Sequence, residues 1–573
     1  MVIPQFIRSI SAKPGLCMAA LLLVIPFIGL FMPAVIQGFY AEWFAGLIGV
    51  MLAFSVIKKE AWQSIHLPQT SLIFLGLLAV VVVQWMLGML HSSQYAFMIS
   101  GYLIWAFMLS MLGAKLKRQY GWSSMAEYLA VAAAGGGLIV TLLFALQHFS
   151  ILPNTAIQSA HLVAYLSMAL VSVIYLTAKQ RFKTWLGMAF VLVFLTAIAS
   201  LAPRLGWFLV TVIALLFVVQ QVLAIQQQNG SRQRRSLVRL GLLLIPIYWV
   251  LTIFAPESLQ APLSKDMLSY ALPAAQSLQA YWDIWKTSWQ IYTTSPWLGV
   301  GMGNVAWHSY LSVQAPVMQG QVGVFSHAHQ QWLQVLLELG AGGLLLAVVG
   351  LAGWLIAFKW RHSTLESWWL IGMVGVMLAH GMFEPQLGFA YFLGVFALLL
   401  GMGDEKTTEL KLPVIGKFAS AAYVACLSVL LVSTLFGYQK LDFAVPLAQK
   451  ENLSVSEEAT LHRHLGWVHN STLLAPYAQL LYAKGLRVNS VEVDAKLWLS
   501  DSAMRFRPAS TMAYQHVLLL KLHGDHDSAV HFLKQALNAY PMKITQQLQL
   551  FPIRHYQDYL DVLSDARPIK RKT

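Results

Sequence analysis

Charge is scarce in this chain. Only 11% of its 573 residues are Asp, Glu, Lys or Arg, where a water-soluble domain carries about 25%. That shortfall excludes an ordinary soluble protein as the whole of the molecule. Cysteine is scarcer still. The 2 present, Cys17 and Cys426, both fall in apolar runs, so no disulfide framework and no cysteine metal site is available. Acidic residues are few, 24 against 38 basic ones, for a net charge of +14. No basic patch interleaved with aromatics accompanies the excess, so nucleic acid is not expected as a partner.

What the chain has is apolar length, with 58% hydrophobic residues. Runs of about 20, enough to cross hydrocarbon as a helix, recur from Leu16 to Phe436. They predict about thirteen transmembrane helices, at 16–36, 40–57, 70–90, 95–114, 126–148, 161–178, 185–203, 205–225, 237–255, 332–358, 367–383, 386–402 and 418–437. The 203/205 junction leaves room only for a tight turn. An all-α, polytopic membrane bundle follows, because unpaired backbone is costly in lipid. The first run follows Arg8 and Lys13 without a small-residue cleavage site and reads as a retained signal anchor.

Basic residues alternate between loops in step with the spans. One side holds nineteen in short loops: Arg8, Lys13, Lys58, Lys59, Lys115, Lys117, Arg118, Lys179, Arg181, Lys183, Arg232, Arg234, Arg235, Arg239, Lys359, Arg361, Lys406, Lys411 and Lys417. The short loops of the other side hold one, Arg204. The positive-inside rule assigns the nineteen to the cytoplasm. The expected organisation is therefore spans one to nine in 1–255, a large periplasmic loop in 256–331, spans ten to thirteen in 332–437, and a helical periplasmic domain in 438–573.

Both long aqueous segments then face outward, where chemistry or recognition is expected. In the loop, a helix is predicted near 276–293, with Tyr281, Trp285 and Trp289 four apart and Trp282 beside them. Such an aromatic face suits either the lipid headgroup zone or packing against the bundle. A glycine-rich turn follows at Pro296–Asn304; no strand precedes it, so it is not a dinucleotide fingerprint. In the tail, Ala503 and Ala536, and Pro508 and Pro541, are each 33 residues apart. That is the tetratricopeptide-like period of stacked helical hairpins, which offer a concave protein-binding surface; a plain helical cap is the alternative.

Ionisable residues at the edge of membrane spans are functional candidates by default. Arg204, His327, His329, His380 and Glu384 all fall at the outer ends of spans. The His327–His329 pair has three readings. As metal ligands the two imidazoles lack a third ligand at helical spacing, so no metal is expected. They are otherwise interfacial polar residues, or a general base for an alcohol, since imidazole ordinarily titrates near 6.5. Arg204 is either a snorkelling side chain or a bidentate clamp for phosphate oxygens, and Lys286 is a second cation at headgroup level.

His329-Gln330, nine residues, Gly340, two residues and Gly343 resembles the His-[Asn/Ser/Gln]-x9-Gly-x2-Gly signature of bacterial O-antigen ligases and protein O-oligosaccharyltransferases. Pro296–Asn304 is similar to the segment these proteins carry upstream, and His380–Gly394 resembles the downstream segment of their pilin O-oligosaccharyltransferase branch. The resemblance is specific over 280–402. It implies an inner-membrane glycosyltransferase moving a preassembled glycan from undecaprenyl diphosphate to a Ser or Thr hydroxyl of a pilin-like protein, without cofactor, nucleotide sugar or ATP. His329 would be the catalytic base with His327 beside it, Arg204 and Lys286 would bind the diphosphate, and Gln330, Glu338, Glu384 and Tyr391 would shape the site. Three departures stand out: no arginine precedes the loop tryptophan in Gln279–Trp285, Gln330 replaces the usual asparagine, and Pro385 stands where tyrosine follows the glutamate. A ligase acting on lipid A–core, a polymerase and a lipid-glycan transporter are the competing readings.

Overall fold

The computed structural model describes residues 13–56, 64–152, 158–226, 232–254, 278–317, 323–358, 364–411, 414–450 and 453–566. Arg8, Lys58, Lys59, Lys359, Arg361, the loop stretch 255–277 and the basic end Arg567–Thr573 lie outside the described residues.

Each of the thirteen apolar segments is helical. In chain order the helices are α1 (Pro14–Gly29), α2 (Phe39–Val56), α3 (Ser71–Met86), α4 (Ser93–Tyr120), α5 (Trp122–His148), α6 (Ser159–Ala178), α7 (Thr184–Leu201), α8 (Pro203–Gln226) and α9 (Arg232–Phe254). After them come the non-spanning α10 (Leu278–Thr294) and α11 (Val305–Leu311), then α12 (Gln331–Ala357), α13 (Leu365–His380), α14 (Ala390–Gly403) and α15 (Val414–Ala448). Seven are long and apolar enough to cross a membrane, namely α4 to α8, α12 and α15; the other six contain shorter apolar helical stretches of 10–17 residues.

Three local departures from expectation have physical causes. The chain is not purely helical: β1 (Ser64–Pro68) and β2 (Thr407–Lys411) pair antiparallel, Ser64 opposite Lys411 and Pro68 opposite Thr407. Asp404 anchors this ribbon, its Oδ2 accepting from Thr70 N and Oγ1 at 2.9 and 3.0 Å. The span expected at 332–358 is broken, because Gly340 leaves the helical region at φ 68°, ψ −173°. The last apolar helix runs on past 437 to Ala448. The tight turn is present but lies earlier than the 203/205 junction: Ala202 is extended at φ −155° between α7 and α8, which puts Arg204 inside the first turn of α8.

The chain forms two compact units. The first comprises Met1–Gly76, Gly101–Ser269 and Leu346–Leu431. Its central helix is α6, buried on every face, with Tyr165 and Tyr175 wholly enclosed. Ser172 Oγ, midway along it, donates to Met168 O at 2.9 Å and accepts from Trp369 Nε1 at 3.0 Å.

The second unit comprises Leu77–Ser100, Tyr270–Leu345 and Val432–Thr573. Its tail is built of α16 (Val455–Ser471), α17 (Ala475–Lys484), α18 (Val493–Phe506), α19 (Ser510–His523), α20 (His526–Ala539), α21 (Ile544–Leu548) and α22 (Tyr556–Ala566). A capping box opens α16, Ser454 and Glu457 each accepting the other's backbone N–H. The starts of α18 and α20, at 493 and 526, differ by 33 residues. Ala503 and Ala536 occupy equivalent, fully buried places on them. Tyr540 Oη donates to Pro508 O at 2.8 Å, and Tyr514 Oη to Tyr540 O at 2.7 Å, tying the two copies together. The period fails afterwards, where α21 and a short turn delay α22.

His516 lies inside this tail, 4% exposed, its Nδ1 3.0 Å from Ser500 Oγ. Burial pushes its imidazole from 6.5 down to about 4, with Asp501 opposing and Arg505 assisting. Between those values the unfolded chain binds a proton that the folded chain does not, so stability falls as pH drops from 6.5 towards 4. The loss amounts to about 3 kcal/mol at most. Melting of the detergent-solubilised chain between pH 7 and 4.5 is expected to show this decline, and His516→Asn to flatten it; an equal decline in that variant would refute the assignment.

Candidate functional site

Two sequence segments that lie far apart along the second unit meet in space, and glycine is the reason. Gly340 adopts φ 68°, and a Cβ there would strike the Trp297 carbonyl and Gly299 N. Gly299, at φ 72°, packs in turn against the backbone of Glu338. Only residues without side chains permit this crossing of the Pro296–Asn304 turn over the kink in α12. Backbone bonds close it: Val300 N to Leu337 O at 2.8 Å and Ala341 N to Pro296 O at 2.8 Å.

Gln84, wholly buried, holds the crossing from the side. Its Nε2 donates at 2.6 Å to both Leu298 O and Glu338 O, and its Oε1 accepts from Met302 N at 3.3 Å. Glu338 Oε1 accepts from Gly303 N at 3.0 Å, which makes this carboxyl a brace for the turn. Asn304 completes the frame, donating to Met89 O at 2.7 Å and Val300 O at 2.9 Å. Beneath lies an apolar floor of Ile284, Ile291, Val300, Val305, Phe325, Ala328 and Leu337.

His329 stands on this frame just before α12 begins. It is 9% exposed and left-handed, φ 51°, a conformation costing a non-glycine residue about 1–3 kcal/mol. The strain is imposed by its neighbour. Ala328 N donates to Gln334 Oε1 at 2.8 Å, and Ala328 O accepts from Trp285 Nε1 at 3.3 Å. The His329 ring lies 4.3 Å from that of His327 and 5.7 Å, edge to face, from that of Tyr281. His327 Nδ1 is 2.9 Å from Ser326 Oγ. Two imidazoles are thus held side by side, the inner one with little freedom.

Trp282 and Trp289 on α10 are 63% and 57% exposed, while Ile284 and Ile291 on its other face are buried. The helix therefore presents indoles outward, with Lys286 exposed among them. Gln330 is half-buried, its carbonyl accepting from Gln334 N at 2.9 Å. The second unit thus sets His327 against His329, with Gln330 next in the chain, while Lys286 lies exposed on α10 and Glu338 braces the turn.

Arg204, Glu384 and Tyr391 belong to the first unit. Arg204 is exposed in the first turn of α8, and no ion pair among the described residues involves it. Glu384 is half-buried, its backbone N–H donating to His380 O at 3.2 Å. Tyr391 is fully buried, its Oη 2.6 Å from His161 Nδ1. His380 in turn bonds Gln386, whose amide donates to Met377 O.

Gln84, Gln334 and Asn304 escaped the sequence reading. Their signal was present, as amides inside or beside long apolar stretches, but an amide announces no chemistry until its partners are known.

Residues 368–550 match the family model described as "Virulence factor membrane-bound polymerase, C-terminal". That stretch begins beyond His329 and takes in Glu384, Tyr391 and most of the helical tail. The chain is also distantly similar to a protein named "General O-oligosaccharyltransferase" from Acinetobacter baylyi (strain ATCC 33305 / BD413 / ADP1), 22% identical over 377 residues. The similarity covers 61% of this chain and 63% of that relative's length.

Replacing Gly340 by alanine forces a Cβ into the crossing and strains the backbone, at a cost of about 1–3 kcal/mol or more. A clear drop in melting temperature is expected from thermal denaturation of the Gly340→Ala chain. A wild-type melt would show that the kink tolerates a side chain.

Proposed function

We propose that this chain is an O-oligosaccharyltransferase of the bacterial inner membrane. It would transfer a preassembled glycan from undecaprenyl diphosphate to a Ser or Thr hydroxyl of a pilin-like protein, on the periplasmic side. The observation that carries this reading is the way His329 is held: left-handed, nearly buried, clamped through Ala328 and flanked by His327. A general base needs a fixed position more than it needs an unusual environment.

In the proposed reaction the acceptor oxygen attacks the anomeric carbon. Its proton passes to the His329 imidazole, and the bond from that carbon to the diphosphate oxygen breaks with inversion. Undecaprenyl diphosphate leaves with the electron pair, so no further energy source is required. Arg204 suits the leaving anion. A guanidinium in the first turn of a helix is repelled by the positive end of the helix dipole, and a bound diphosphate relieves both. Lys286, exposed among the indoles of α10, is the second cation in this reading, and those indoles suit the headgroup zone.

The loop charges support the periplasmic assignment, and thirteen crossings make the large loop and the tail emerge on that same side. The similarity to a general O-oligosaccharyltransferase supports a protein acceptor. The polymerase description of the matching family supports a second reading, in which the acceptor is another lipid-linked glycan. A polymerase yields a ladder of chain lengths, and a ligase places the glycan on lipid A–core.

Intact-mass measurement of pilin from cells lacking the protein is expected to show loss of the glycan increment. His329→Ala should lower transfer by about 10²–10⁴-fold, with protein level and lipid-linked donor unchanged. Arg204→Ala should lower it by about 10- to 100-fold. Unmodified transfer by the His329 variant would exclude the general-base role, and a ladder on the lipid carrier would favour polymerisation.

A further inference from the structure

The second unit contains a cleft of about 470 Å³ that none of the proposed catalytic residues enters. One wall is the segment Leu90–Tyr95, another is the end of the glycine-rich turn, Met302–Asn304, and the third comes from α16, α17 and α18 of the tail. The volume falls in the range of small-molecule sites, about 300–1,000 Å³.

The lining has an unusual balance. It is rich in hydrogen-bonding groups yet carries almost no net charge. Asp501 and Arg505, one turn apart on α18, form an ion pair at 2.7 Å. Arg505 also reaches His91 Nδ1 at 3.4 Å and lies 5.4 Å over the Trp307 ring. Its charge is therefore already engaged, which disfavours a phosphate. Burial, and then Arg505, hold the His91 imidazole below its ordinary value, so it stands neutral at pH 7. The remaining polar groups are uncharged amides and hydroxyls, with Gln479 Nε2 3.2 Å from His469 Nε2. Among them Trp498 is 57% exposed, its ring set edge to face with His469 at 6.2 Å.

An exposed indole costs solvation unless something covers it, and a ring of donors and acceptors without charge calls for a ligand of the same kind. A pyranose meets both demands: one face is C–H, suited to an indole, and its rim is hydroxyl, suited to amides, imidazoles and a carboxylate–guanidinium pair. An extended peptide would be recognised chiefly through main-chain ladders and apolar side-chain pockets, whereas most of this lining is polar side chain.

We propose that this cleft is a carbohydrate subsite, with Trp498 as platform and Gln479, Asp501 and Arg505 as rim, binding sugars of the glycan remote from the scissile bond. The proposal rests on the glycan-transfer reading and deepens it. Contacts to remote sugars allow a transferase to use binding energy away from the reacting carbon for orientation at it. The glycine-rich turn that frames His329 also supplies one wall of the cleft, so the two sites share a support.

The test uses the full-length protein in nanodiscs. The probe is the free oligosaccharide released by mild acid from the host's own lipid-linked pool, which lacks lipid and diphosphate. Binding is followed by saturation-transfer NMR and by indole fluorescence. Wild type and His329→Ala are expected to bind it equally. Trp498→Ala should weaken binding by about tenfold or more, Gln479→Ala by less, and Trp498→Phe should restore most of the affinity, with melting temperatures unchanged because Trp498 is exposed. Absence of binding by wild type, or equal binding by the Trp498→Ala and Gln479→Ala chains, overturns the subsite. Displacement of the sugar by a Ser/Thr-bearing acceptor peptide overturns it in favour of a peptide site. If sugar binding depends on Trp498 while His329→Ala still transfers glycan, the subsite stands and the proposed mechanism fails; the reverse pattern separates them the other way.

Discussion

A backbone that leaves regular helix inside an apolar stretch must find partners for every N–H and C=O it frees. The kink at Gly340 creates that debt, and the Pro296–Asn304 turn settles it. Gln84 is the member that makes the arrangement specific. One buried amide uses both of its donors on carbonyls from the two crossing strands of chain, Leu298 and Glu338, and its acceptor on Met302 N. A leucine of similar volume would fill the space and leave those groups unpaired. Around that crossing the second unit is organised: the kink divides α12 at Gly340, and His329 sits immediately ahead of the helix start at Gln331.

The same turn hands its order on to the tail. Asn304 is the residue before α11, and α11 is the element on which the tail docks. Arg505 lies over Trp307, the Tyr310 and Tyr540 rings stack at 6.0 Å, Gln535 donates to Tyr310 O and to Val313 O, and Val317 N donates to Asn538 O at 2.9 Å. Aromatic stacking, an amide and a backbone bond hold this contact, with no ion pair among the described residues, so it is insensitive to salt. The hairpins are therefore part of the body that carries His329 rather than an appendage on a tether. In the glycan-transfer reading, whatever the tail binds is presented at a fixed distance from the base.

Much of the architecture was legible because membrane helices are written in composition. All thirteen apolar runs contain helices, a tight turn was readable from the span ends two residues beyond its place at Ala202, and the 33-residue spacing of Ala503 and Ala536 marked equivalent buried positions on α18 and α20. Three features were not legible. The β1–β2 ribbon joins residues more than three hundred apart, and five-residue strands carry too little pattern to announce a partner that distant. The break at Gly340 looked like one glycine among several in an apolar helix; only the approach of Trp297 shows why no side chain fits. The bracing amides were invisible for a related reason, since hydrogen-bond geometry belongs to pairs and a sequence presents residues one at a time. His327 and His329 stand out in the sequence because an imidazole carries chemistry regardless of partner, whereas their surroundings are set by the fold.

In the glycan-transfer reading, that difference bears on how the site would work. An imidazole on an ordinary helix would share the mobility of its side-chain rotamers, and its distance to an acceptor hydroxyl would vary by an ångström or more. Here the backbone itself is fixed in a disfavoured region, with the N–H and C=O of the preceding residue held by Gln334 and Trp285. Strain of about 1–3 kcal/mol persists only where the surroundings over-determine it, and these surroundings do: an apolar floor, a clamped neighbour and a helix that begins two residues later. Positional restraint of this kind is worth several kcal/mol to a reaction in which two bound partners must meet in one orientation. In the glycan-transfer reading, a fold that holds one histidine this firmly fits chemistry in which the leaving group is already activated, so that the base has only to be in the right place.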